Sequence, residues 1–210
     1  METLAHRAAR ALAIVALLLG ARVALAQVRA KTDPDWPCQQ IKVPTFSLGS
    51  VWAGPEIDVK SETWRGAAEV VALVGKMARR RVPIDEAEAA IADFAGKGGA
   101  EAKPKLLLAL AGAFQELTSQ RAQILDGLER FGKRQRDMAD RIRAENEALQ
   151  SAPADAANAQ NQQSANAQEK LQWDLRVFED RHRSISYVCE TPTLIEQRIG
   201  ALARAVQSAL

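Results

Sequence analysis

At 210 residues the chain suffices for one domain with an appendage; it is 47% hydrophobic but alanine-heavy, with only 5% aromatics. Alanine is the best helix former and strands favour β-branched and aromatic residues, so the composition argues against a sheet-built fold and for an all-α one. The 28 Lys+Arg and 26 Asp+Glu are nearly balanced, which gives no reason to expect nucleic acid as a partner.

Residues 1–26 read as a secretory signal peptide. Arg7 and Arg10 supply the positive start, Ala11 to Leu19 the apolar run, and Ala24-Leu25-Ala26 the small residues before a cut at Gln27. The apolar run falls far short of the roughly 20 residues a spanning helix needs, and no later run reaches it. Cleavage, periplasmic or secreted localisation and no stable membrane insertion are therefore expected. Removing the leader takes Arg7, Arg10, Arg22 and Glu2, leaving 25 basic and 25 acidic residues.

Residues 27–58 are punctuated by Pro34, Pro37, Pro44 and Pro55, which disfavour helix, yet carry Trp36, Phe46, Val51 and Trp52. This pattern predicts an extended arm laid along a helical body of residues 59–210. Trp36 and Trp52, together with Trp64, are candidate contacts for a ligand or partner, weighed against simply covering the body's own apolar surface. Cys38 and Cys189 both lie in the exported part, where an intramolecular disulfide is the expected state. It would restrict the unfolded chain by about 4–5 kcal/mol in the chain-entropy description.

Two short helices are expected within 59–99. The first starts near Asp58 or Ser61, buries Trp64, Ala67, Ala68, Val71, Val74, Gly75 and Ala78, and is closed by Arg79-Arg80-Arg81 before Pro83. The second runs from about Asp85 to Ala95 and buries Ala87, Ala90, Ile91 and Phe94; Gly96, Gly98 and Gly99 stop it.

A long helix follows over 104–150. Leu107, Leu110, Phe114, Leu117, Ile124, Leu128, Phe131, Met138, Ile142 and Leu149 recur at steps of three and four, interrupted by Arg121, Gln135 and Glu145. Such a stripe is a coiled-coil seam; the helix carrying it would be about 65–70 Å long and needs a partner. The three polar seam residues are expected to weaken the zipper. Residues 151–168, rich in Ala, Asn, Gln and Ser, read as a polar linker, or a tip with frayed helix, and not as a packed element.

The partner stripe is Leu171, Leu175, Phe178, His182, Ile185 and Cys189 in returning helices over 169–210, with Thr191 and Pro192 expected to divide them. The result is a small helical body with a long antiparallel coiled-coil hairpin, Met138 lying opposite about Asp180 and Cys189 opposite Phe131 or Leu128. His182, the one histidine left after leader removal, is expected in the seam as a pH-sensitive residue.

No phosphate loop, dinucleotide fingerprint, nucleophile elbow or zinc-binding helix motif occurs. The chain is accordingly expected to be non-enzymatic, with no catalytic residues, metal or cofactor. Its expected role is an interaction, scaffold or adaptor protein presenting the hairpin to a protein of the envelope. A ligand-binding module using the Trp-rich arm and a self-assembling coiled coil, a homo-oligomer, are the alternatives.

Overall fold

The computed structural model describes residues 33–151 and 160–210. The leader reading at 1–26, the start of the arm and the centre of the polar tip lie outside these. The described chain is all-α: α1 (Ala68–Ala78), α2 (Ile84–Lys97), α3 (Ala102–Ser151) and α4 (Gln160–Ala209), with single 3-10 turns at Leu48–Ser50, Thr63–Gly66 and Gly99–Glu101. Helices α3 and α4 pack antiparallel along the molecule, and α1 and α2 pack against their body end. The body core gathers Val70, Leu73, Val74 and Met77 of α1, Ile91 of α2, Leu106, Leu110 and Leu117 of α3, and Ile195, Ile199, Leu202 and Val206 of α4.

The expected arm is present and runs antiparallel to α3. Its Asp35 carbonyl lies against Gly132, where a Cβ would fall inside the carbonyl oxygen, so only glycine admits the strap here. Arg136 holds the Asp35 carboxylate at 2.5 Å, and Lys42 pairs with Glu129. Further along, Phe46 packs against Phe114 with ring centroids 6.4 Å apart, Leu48 is buried, and Val51, Trp52, Ile57 and Val59 cover the core.

The first helix starts at Ala68, later than Asp58 or Ser61. The preceding residues are held by α3. Gln115 Nε2 donates to the carbonyls of Val59 (2.8 Å) and Ser61 (2.9 Å), while its Oε1 accepts from Trp64 Nε1 at 2.8 Å. These bonds fix Thr63–Gly66 as a 3-10 turn, and Ala67 is extended at φ −116°, ψ 113°. The later start changes the buried face to Val70, Leu73, Val74, Met77 and Ala78, leaving Val71 40% exposed. Trp64 is 3% exposed because α3 has Gly112 beneath it; a Cβ there would come within 2.7 Å of the indole.

Arg79, Arg80 and Arg81 follow the end of α1 and are exposed, and a further cation reaches this end from α4. Arg198 donates to the carbonyls of Met77 (2.7 Å) and Lys76 (3.4 Å), acceptors that the end of α1 leaves open, and to that of Val82 (2.8 Å) in the turn beyond. Burial pushes the Arg198 guanidinium below its ordinary value.

Two expectations about the returning limb are corrected. The helix begins at Gln160, inside the stretch read as tip, because Ala and Gln are good helix formers and low hydrophobicity is not low helix propensity. Pro192 does not divide it: α4 is continuous with Pro192 inside. An interior proline costs about 3 kcal/mol by removing a hydrogen bond and crowding a carbonyl. Here the surroundings oppose that cost. Pro192 is buried, the disulfide holds the helix at Cys189 just before it, and Arg121 grips Glu196 just after it.

Candidate functional site

The hairpin's root is locked by covalent and polar ties converging from three segments. Cys38 of the arm and Cys189 of α4 are bonded (S–S 2.07 Å, Cα–Cα 5.6 Å), as expected from the sequence. The bridge sits on a small apolar cluster of Leu128, Ile185 and Cys189, with Trp36, Ile124 and Phe131 at its edge. Cys189 thus faces Leu128 and Phe131, the predicted register. Gln40 Nε2 donates to the Cys189 carbonyl, and Trp36 Nε1 donates to the Gln40 carbonyl at 2.7 Å.

Arg121 is the second tie. Although Arg121 is 3% exposed, all three of its guanidinium nitrogens have partners: Nε and Nη2 each lie 2.7 Å from Glu196 Oε1, Nη2 also donates to the Val43 carbonyl at 2.7 Å, and Nη1 to the Pro44 carbonyl at 3.3 Å. A charge can be buried when it is paired and its donors are satisfied. Arg121 therefore joins α3, α4 and the arm from the seam position at which it interrupts the apolar series.

Beyond the root, α3 and α4 form a stalk with a narrow seam. Met138 and Leu171 are buried in it, and Phe178, Leu175, Ile142 and Leu149 are partly so. Gln135 Nε2 donates to the Phe178 carbonyl at 3.3 Å, Arg181 reaches Met138 Sδ at 3.7 Å, and Lys170 bridges Glu145 and, at 3.0 Å, Asp174. Gln135 and Glu145 thus also make bonds across the seam. The Glu145 and Asp174 carboxylates hold the Lys170 ammonium above its ordinary range. These pairings place Met138 opposite Arg181, within the expected register. His182 is corrected: it is exposed, because Arg181 is the residue turned toward Met138 at this level.

The three tryptophans do not share a groove. Trp64 is in the body core, Trp52 lies over it with Nε1 donating to the Pro55 carbonyl at 2.8 Å, and Trp36 belongs to the disulfide cluster. A cleft of about 370 Å³ opens elsewhere, between α1, α2 and the start of α3. Its floor is Leu73, Ala90 and Phe94; its charged rim is largely compensated by Glu69–Lys105 at 3.0 Å and Asp93–Lys97 at 2.7 Å. A hydrogen bond from its own backbone N–H, and then Lys105, hold the Glu69 carboxyl below the usual value. Such a cleft can receive an apolar group, but it assembles no nucleophile beside a base.

Compared with known protein families, curated proteins and solved structures, the chain matches none. Among the described residues, no three or more His, Cys, Asp or Glu are grouped to hold a metal ion, and no helix is long and apolar enough to cross a membrane. Glu196 and Arg198 escaped the sequence reading because their partners are distant carbonyls and one arginine. Trp173, Tyr187 and Leu194 also escaped it, being outside the seam; they are 61%, 79% and 56% exposed.

Proposed function

We propose that this chain is an exported, non-enzymatic scaffold or adaptor protein whose helical stalk engages a protein of the cell envelope. The observation that carries this reading is the contrast between root and stalk. The disulfide, the Arg121 ties and the packed arm fix the base, whereas beyond Leu128 the two helices bury only a narrow seam and expose charged flanks. From Leu128 to Ser151 the outgoing helix extends about 35 Å at 1.5 Å per residue. A rigid base with a long solvated shaft offers a partner a pre-ordered helical surface, which lowers the entropy lost on binding. Export is supported by the leader pattern at 1–26 and by a bridge spanning 151 residues, a bond that persists in oxidising compartments.

Photo-crosslinking residues placed at Arg134, Arg141 and Glu179 on the stalk, and at Ala89 and Ser208 on the body, test the proposal in envelope preparations. The expected result is a discrete protein adduct from the stalk positions and none from the body. Adducts from the body alone, or none from the stalk, would overturn it.

A further inference from the structure

The back of α4, opposite the hairpin seam, carries a second ordered stripe. Trp173, Val177, Asp180, Ser184, Tyr187, Thr191 and Leu194 follow one another at steps of four and three, the spacing that holds one face of a helix. Trp173, Tyr187 and Leu194 are its large exposed members. Where the stripe meets the body lies a concave site of about 540 Å³ whose lining includes Ile84, Leu194, Arg80 and Arg198.

We propose that this face joins two copies of the chain, their α4 helices antiparallel about a two-fold axis between Ser184 and Tyr187. The charge order favours that occupant. Arg183 and Glu190 flank the stripe on the same side, seven residues apart, so antiparallel packing about that axis sets each Arg183 against the other copy's Glu190, twice. Arg183 now pairs with Asp180 of its own helix at 2.5 Å, and exposed Glu190 has no ion pair among the described residues. The same register sets Tyr187 against Ser184, Leu194 against Val177, and Trp173 opposite Arg198. Each copy's indole then enters the other's concave site, an apolar recess with Arg80 and Arg198 available to its ring face. A parallel pairing would align neither the charges nor the indole with its recess.

Light scattering and sedimentation on the full chain without its leader test this from micromolar to millimolar concentrations. Wild type should form a dimer. Arg183→Glu alone and Glu190→Arg alone should be monomeric, because each sets like charges against one another. An equimolar mixture of these two variants should dimerise again, since both cross-pairs are then complementary. Trp173→Ala should weaken the dimer by about ten-fold or more. A wild-type chain that stays monomeric would overturn the proposal and leave the face to a helix of another protein. A dimer indifferent to the single charge reversals, or to Trp173→Ala, would overturn it as well.

Discussion

Arg121 of the outgoing helix grips Glu196 of the returning one through two nitrogens, each 2.7 Å from the same carboxylate oxygen, at the level where the arm crosses both. Arg121→Met should strand Glu196 and leave the carbonyls of Val43 and Pro44 without these donors. The expected loss is about 2–4 kcal/mol, tempered because the Glu196 side chain is partly exposed. Glu196→Gln should cost less, since the bonds to the arm persist. Urea unfolding of both variants checks the order; a smaller loss for Arg121→Met than for Glu196→Gln would show that the carbonyl bonds contribute little.

The approach of the arm to α3 gives a contrast between two glycines of one helix. Gly132→Ala drives a methyl into the Asp35 carbonyl and should lift the strap, with a loss of about 1–3 kcal/mol. At Gly127 a Cβ would meet only the far end of Arg130 at 4.0 Å, so Gly127→Ala should stabilise the helix by about 0.5–1 kcal/mol. Thermal unfolding and limited proteolysis of residues 34–44 separate the two effects. Equal behaviour of the variants would mean that the strap does not rest on Gly132.

The hairpin was legible in the sequence because two seams with one period can be paired by counting from the reversal, which put Cys189 beside Leu128 and Met138 near Asp180. The arm was legible from prolines alternating with bulky apolar residues. What escaped was set by tertiary contacts without a local pattern. The start of α1 is decided by Gln115, about fifty residues away, and the continuity of α4 through Pro192 by the bridge and Arg121. His182 illustrates a limit of periodicity: at a step of three or four, two adjacent residues compete for the seam, and here Arg181 reaches Met138 while both residues stay exposed. Trp36 and Trp52, weighed as ligand contacts against a cover for the body, pack on two separate apolar clusters, and Trp64 lies in the core.

Gln135 offers a stabilising substitution. Its Nε2 reaches the Phe178 carbonyl, but its Oε1 is buried with no hydrogen-bond partner. Such an atom costs about 1–3 kcal/mol when desolvated without a bond. Gln135→Leu removes it and continues the apolar seam between Phe131 and Met138. A gain of about 1 kcal/mol in urea unfolding is expected; a loss would show that the Phe178 bond outweighs the stranded oxygen.

Two exposed ion pairs should lose their contributions at opposite ends of the pH scale. The Glu69 carboxyl titrates below its ordinary 4.5, owing to its own backbone N–H and then Lys105. Folding therefore gains from its charged form above the unfolded value, and the gain disappears as pH falls through the folded value. The Lys170 ammonium titrates above its ordinary 10.5, through Glu145 and then Asp174, so its contribution is complete below that value and disappears as pH rises beyond it. Accordingly, the urea midpoint of Lys105→Met should differ from wild type at neutral pH and converge with it in acid. Lys170→Met should keep its difference through neutrality and converge only in strong alkali. Both differences should shrink at high salt, because the groups are solvent-exposed. Differences that ignore both pH and salt would assign the effect of each substitution to lost side-chain packing.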